Sequence, residues 1–465
     1  MSARPHHSEQ SEQSEHSEHS EHSEHFERVR ARVLSMAAPG ESLMGYWMSE
    51  SSDFVRFTQG RVRQAGRVEQ RELRLALTVG GKRASVDVTL SGDVLDDARR
   101  LGGGLERLRA LVPALPPDPH LSAPAPVDSA PPSPLPPSPA GEPSAEAVLG
   151  AFLGLAEGLD VVGILSSGSV ARGFFSGEGL SRWSERRAKQ VDWSVVQSAD
   201  RAVKCGWAGE AWDLEALGRK LLEARAQLSA LARPAHTPAP GELRALLSAS
   251  AVADLLGAFS DWGGWSAQVL RERQSPLGLL ESGARRFSPL LSAYDTTGGA
   301  APAFQAEGHL RPARHPLIVG GRWGAPLVSP RSALRFGLAS TGALAQECPQ
   351  TLEVEGGALP AASALAALGT GVYVSDVWYL NFSDRQGACV TGTTRFATMW
   401  VEGGEPVAPL SVMRFDDCLY EVLGDRLEAL TVERDLCLSS STYDRRSLSS
   451  TLTPAALCAG LRFTL

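Results

Sequence analysis

Apolar and polar residues alternate with period two over much of the stretch from Tyr46 to Asp93. Asp53–Phe57 and Arg61–Ala65 flank the turn Thr58-Gln59-Gly60. Farther on, Leu73, Leu75, Leu77 and Val79 alternate with polar residues up to Gly80-Gly81-Lys82, and Val86, Val88 and Leu90 alternate beyond it. Such alternation bounded by glycine turns predicts two antiparallel hairpins with one face buried. Helical spacing predicts helices over Phe26–Ala37, Asp96–Leu111, Ser144–Leu159 with Ser144 as cap, Asp213–Ala232 and Ser248–Phe259. Gly102-Gly103-Gly104 weakens the second of these and reads as a packing feature or a break. Val161–Leu165 reads as a buried strand and Gly177-Glu178-Gly179 as a hairpin turn. After Pro234, Pro238, Pro240 and Gly241, short apolar runs alternate with glycine turns. Val372–Phe382, Ala388–Thr394 and Thr398–Val401 then read as successive antiparallel strands of a barrel-like or sandwich domain.

Two segments break the pattern. Residues 8–25 are six triplets of Ser, Glu and Gln or His, with too little apolar surface to offset the entropy of ordering, so 1–25 reads as a disordered tail. Its histidines, His16, His19, His22 and His25, suit at most weak capture of a divalent metal. Residues 113–143 hold 13 of the 30 prolines and read as an extended excursion open to proteases. The resulting division is a tail at 1–25, an N-terminal domain at 26–235 that includes the excursion, and a β-rich domain at 236–465. Overall the chain is α+β: an N-terminal α/β domain of hairpins and helices, then a mostly antiparallel C-terminal domain.

At 465 residues, two cores are expected. A net charge of −8 argues against nucleic-acid backbone as the main ligand. No apolar run reaches the length of a membrane span and the N-terminus has no apolar signal region, so a cytoplasmic protein is expected. The six cysteines, 205, 348, 389, 418, 437 and 458, form no C-x-x-C and read as reduced thiols, Cys389 as an ordinary strand residue. Asp416-Asp417 reads as a solvated turn. Glu307, His309 and His315 are the one improvised ligand set in view, but the histidines lie beside Pro312 and Pro316 and read as loop residues. No nucleophile elbow, P-loop or dinucleotide fingerprint is present.

The segment Ser52-Asp53-Phe54-Val55-Arg56-Phe57, followed by Gln59-Gly60 and Gln64, resembles the N-terminal signature of the TldD/PmbA (TldD/TldE) metallopeptidase family. Further landmarks follow in family order. They are Phe304–Gly308 (with Gln305 where an acidic residue is usual), Arg314 with Pro316-Leu317-Ile318 and Gly320, Ala333–Gly337 with Ser340-Thr341-Gly342, Gly371–Ser375, Trp400–Val407 and Met413-Arg414-Phe415. The resemblance implies a two-domain build. It also implies that active members carry His-Glu-x-x-x-His on a helix opening the C-terminal domain, with a cysteine from a glycine-rich segment as third zinc ligand. There the histidines hold zinc and the glutamate acts as general base on the bound water.

Outside the tail and the proline segment the only histidines here are His236, His309 and His315, and none precedes a glutamate. The matching helix, SASAVADLLGAF, offers only Asp254 as an acid. The chain therefore resembles the TldE/PmbA-like branch without zinc ligands. No catalytic, cofactor or metal residue is assigned, and zinc is expected in a TldD-like partner. The expected role is a non-catalytic subunit of a bacterial-type oligomeric complex that processes short or unfolded peptides, or a self-associating chain. The partner-contact elements expected are Gly371–Phe382 and Phe304–Gly308. The alternatives are a metallopeptidase with unconventional ligands and a peptide-binding scaffold without proteolysis.

Overall fold

The computed structural model describes residues 20–127, 142–198, 201–441 and 445–464. The N-terminal half is built on six long strands, β1 (Ser42–Thr58), β2 (Arg61–Val79), β3 (Lys82–Leu90), β4 (Asp160–Ser176), β5 (Ser181–Ser198) and β6 (Arg201–Gly209). They form one antiparallel sheet in the order β3-β2-β1-β4-β5-β6. The two expected hairpins share β2 and run well past the residues read as strands. The turn Gln59-Gly60 has both residues at positive φ, as the tight reversal requires. Of the Gly177-Glu178-Gly179 turn between β4 and β5, Gly179 takes the left-handed conformation.

The period-two pattern divides the two faces of this sheet. On β1 the odd positions Leu43, Trp47 and Phe57 are almost wholly buried under helices. Those helices are α1 (Glu21–Ser35) and α2 (Val94–Leu111) at one end, and α3 (Ala145–Leu155) and α4 (Leu214–Leu231) at the other. The even positions, among them Met44, Tyr46, Glu50 and Ser52, face the C-terminal half. Gly104 does not break α2. A side chain there would come within 3.0 Å of Val88 Cγ2, so the glycine lets the helix lie close on β3.

Helix α1 starts five residues before the expected boundary, inside the segment read as tail. Ser20 caps it, accepting from Ser23 N. His22 and His25 are buried against Trp47, and His25 Nε2 lies 2.9 Å from Asp97 Oδ2. The last two triplets thus have a partner surface that composition alone does not reveal. The tail upstream lies outside the described residues. So do residues 128–141 of the proline-rich segment, but its start is pinned: Asp118 pairs with Arg331, and Ala125 N donates to Glu307 O at 3.0 Å.

In the C-terminal half the strands are β7 (Gly241–Leu247), β8 (Ala293–Thr296), β9 (Arg314–Val319), β10 (Arg322–Trp323), β11 (Thr351–Val354), β12 (Gly371–Val374), β13 (Val377–Asp384), β14 (Cys389–Thr394), β15 (Met399–Glu402), β16 (Glu405–Pro409), β17 (Arg414–Cys418), β18 (Leu427–Leu438) and β19 (Ser450–Phe463). They join in one branched sheet that does not close into a barrel. The strand β19 is its hub, pairing with β7, β11, β17 and β18, and α5 (Ala249–Asp261) packs across it.

Several local expectations are corrected. Residues 372–382 form two strands, not one. The strand β12 pairs in parallel with β7, whereas β13 pairs with β14, and the chain breaks at Ser375-Asp376 as Asp376 turns inward. Cys389 and Cys418 stand opposite one another in register and form a disulfide, so they are not free thiols. Asp417 is buried rather than solvated: it pairs with Arg426 and accepts from Arg462 N at 2.8 Å. His315 lies on β9, not in a loop, and is buried.

The Phe304–Gly308 loop is an internal joint rather than a free contact surface. Phe304 and Gln305 are buried, the Phe304 ring meets Tyr46 edge-on at 6.5 Å, and Glu307 pairs with Arg83 at 2.8 Å. Among the described residues no helix is long and apolar enough to cross a membrane.

Candidate functional site

A cavity of about 680 Å³ lies between the two halves. One wall is α5, capped by Ser248, whose Oγ accepts from Ala251 N at 3.1 Å. Ser250, Asp254, Gly257 and Asp261 recur at intervals of three and four residues, so they form one stripe and all line this wall, while Val252, Leu255, Leu256 and Phe259 go to the core. The opposite wall comes from the N-terminal sheet. Asp192 on β5 and Lys204 on β6 are both at even positions and share the face turned away from the helices. Asp376 closes the group from the link between β12 and β13.

Lys204 Nζ lies 3.4 Å from Asp376 Oδ2, and Ser250 Oγ lies 3.5 Å from the same oxygen. Three carboxyls therefore surround one ammonium. Burial raises the pKa of Asp192, and burial raises that of Asp376 against the pull of Lys204. Asp254, set deep between the halves and close to the Asp376 charge, is pushed to about 7 by burial and then by that charge. Lys204 goes the other way: burial disfavours its ammonium, but Asp376 and Asp192 outweigh this and raise its pKa. Burial holds the Cys205 and Cys437 thiols near 12, so neither lining cysteine is a ready thiolate. A neighbouring hollow of about 260 Å³ shares Lys204, Asp254, Asp261 and Asp376 with this cavity and is lined by Trp262, Trp378 and Tyr379, the last 80% exposed.

Such a site takes up or releases a proton near neutral pH at Asp254 and attracts cationic or amide groups along its acidic wall. It does not fit zinc. Among the described residues the donors facing the cleft are carboxyls arranged around an ammonium, with neither imidazole nor thiolate, whereas the zinc set that the sequence resemblance implies is two histidines and a cysteine. Among the described residues no group of three or more His, Cys, Asp and Glu is placed to hold a metal ion. The improvised set is dispersed into separate contacts. Glu307 binds Arg83 and Ser122, His309 Nε2 lies 3.1 Å from Ala123 O, and His315 Nε2 lies 3.1 Å from Pro326 O. His236 stacks on Trp400.

Of the charged residues grouped around Lys204, the sequence singles out only Asp254. Asp192, Lys204 and Asp376 come from strands and a link far apart in the chain, and no spacing signals them. The Ser250, Asp254, Gly257, Asp261 stripe is the one local clue.

Residues 240–465 match the family model for the PmbA/TldA metallopeptidase C-terminal domain. Solved structures share the fold over nearly the whole chain. TldE from Thermococcus kodakarensis aligns with a TM-score of 0.76 at 13% identity, covering 95% of this chain and 100% of that one. A proposed modulator of DNA gyrase from Thermotoga maritima aligns at 0.73 and 14%, covering 94% and 100%. A similarly described protein from Bacteroides thetaiotaomicron aligns at 0.69 and 15%, covering 95% and 98%. No curated protein matches the sequence.

Proposed function

The chain belongs to the TldD/PmbA family, and from that premise we propose that it is a non-catalytic, TldE/PmbA-like subunit that works with a zinc-bearing, TldD-like chain on short or unfolded peptides. The observation that carries this reading is the cleft face of α5. The helix that resembles the zinc helix of active members presents Ser250, Asp254, Gly257 and Asp261 to the cavity, and none of these is a nitrogen or sulfur donor. A fold kept with its cleft but without zinc donors supplies surface and volume rather than a metal-activated water. The likeness to TldE supports the same assignment at the level of fold.

The test is co-expression with a family member that carries His-Glu-x-x-x-His. Co-purification, with chelator-sensitive peptide cleavage that depends on that partner's glutamate, is the expected result. Chelator-sensitive cleavage by the isolated chain overturns the reading. A peptide-binding scaffold without proteolysis is the second reading, favoured by the exposed aromatic residues Trp262, Trp378 and Tyr379 in the hollow beside the cleft. It predicts peptide binding with no such co-purification.

A further inference from the structure

The signature segment of β1 lies away from the cleft just described, and its residues converge on a second cavity of about 450 Å³. Register explains the convergence. Arg56 stands between Gln64 on β2 and Ile164 on β4, and Phe54 stands opposite Gly66, while Ser52 stands opposite Val68 and Glu50 opposite Gln70. Phe54, Arg56 and Gln64, three of the residues that carry the family resemblance, thus line one hollow on the face turned from the helices. The C-terminal half closes it with Arg445 and Arg446.

The charges there are unevenly matched. Arg445 is paired with Glu72 at 3.1 Å, and Arg67 with Glu69 at 2.9 Å. Arg446 is only 4% exposed, and among the described residues its side chain has a single hydrogen bond, Nη1 to Ser52 Oγ at 3.3 Å, with Nη2 left without a partner. Glu50 offsets part of that charge, but its Oε2 is taken up by Gln70 and by the backbone N–H of Arg446, at 2.9 and 3.0 Å, and its Oε1 has no partner among the described residues. Arg56 opens to solvent at the rim. A buried guanidinium with unused donors is costly unless something completes it. The other walls, Phe54, Val68 and Ile164, are apolar.

We propose that this pocket binds a carboxylate that carries an apolar substituent, the carboxylate seated between Arg56 and Arg446 and the apolar group against Phe54, Val68 and Ile164. Paired guanidiniums favour a planar carboxylate. The apolar walls separate such a ligand from a bare inorganic anion. The C-terminus of a peptide ending in an apolar residue has this chemistry; that source rests on the peptide-complex reading above, whereas the carboxylate chemistry does not.

The experiment is calorimetric titration of the isolated full chain with N-acetyl-leucine, N-acetyl-leucinamide and inorganic phosphate. No partner or peptidase activity is needed, so failure of the partner reading leaves this result intact, and the reverse also holds. Saturable binding of N-acetyl-leucine is expected, weakened about tenfold or more in R56Q and R446Q, with the amide and phosphate much weaker. Arg446 is buried and R446Q risks unfolding, so the exposed R56Q decides the matter if it does. Three results overturn the proposal: no binding of N-acetyl-leucine, equal binding of the amide or of phosphate, or unchanged affinity in R56Q.

Discussion

Lys204 and Asp376 form an ion pair across the boundary between the two halves, with Nζ 3.4 Å from Oδ2. Asp376 is 2% exposed, and Lys204 is the cation placed to neutralise it. Removing one member of a buried pair strands the other charge, a larger penalty than the pair itself is worth. Because Lys204 is partly open to solvent, Lys204→Met is expected to cost about 1–3 kcal/mol at pH 8, the low end for such pairs. Lys204→Met/Asp376→Asn is expected to recover part of it, because the Asp376 charge goes with its partner while Asp192 and Asp254 still lose theirs. Urea denaturation of the three proteins checks this. A single variant as stable as the parent removes the ion pair from the account of how the halves are joined.

Asp254 supplies a pH test. Its carboxyl keeps its proton to about pH 7 in the folded chain, against an ordinary value of 3.8, first because of burial and then because of Asp376. The folded state therefore binds this proton more tightly than the unfolded state. That contribution is fully present below 3.8 and fades as the pH rises through the window to about 7. Asp254→Asn removes the titration. Relative to the parent, the variant is expected to gain stability steadily between pH 4 and 7 and to hold that gain above it. Denaturation midpoints that track each other across this range show that Asp254 titrates like an exposed aspartate.

The sheet, its turns and the helix caps were legible because each rests on local chemistry. Leu73, Leu75 and Leu77 alternate, Gly80-Gly81 turns the chain, and Ser144, read as a cap, accepts from the N–H of Ala147, as Asp213 and Ser248, read only as helix starts, do from the N–H groups that follow them. What local pattern cannot carry is tertiary pairing. Cys389 and Cys418 are 29 residues apart and meet only through the β14–β17 register. Asp417 looks like a turn acid until Arg426 and the Arg462 N–H come to it. His22 and His25 belong by composition to a solvated repeat, and only the Trp47 surface makes them core residues. The candidate site was the least legible part: Asp254 has local neighbours on α5, but Lys204 and Asp376 reach it from other strands and links.

The face reading of the second hairpin is itself testable. Leu75 is fully buried between α2 and the sheet, among Leu73, Leu77, Val88 and Leu105. Leu75→Ala removes three buried carbons and leaves a cavity under a helix already held close by Gly104. The expected loss is about 2–5 kcal/mol. Arg74→Ala, one position along on the opposite face, removes an exposed pair with Asp87 and is expected to cost about 1 kcal/mol or less. Equal effects of the two substitutions, read from denaturation midpoints, contradict the assignment of faces.

The start of α1 is held by histidines that must stay neutral, which makes its docking sensitive to acid. His22 is buried beside Ser49 and Ser169, with Nδ1 2.9 Å and Nε2 3.1 Å from their hydroxyls, and burial with the nearby Arg71 charge lowers its pKa to about 4. Burial lowers that of His25 too, against the pull of Asp97. When the helix is released, His22 regains its ordinary value of 6.5 and takes up a proton that the docked form refuses. Docking is therefore strongest above 6.5 and weakens as the pH falls toward about 4. Trp47, fully buried against both rings, reports the event. Its emission is expected to shift to the red between pH 6.5 and 4, before global unfolding. His22→Gln keeps a hydrogen-bonding side chain but cannot charge, and is expected to move the onset of that shift to lower pH. Coincident emission curves for the parent and His22→Gln show that His22 does not govern the docking of α1.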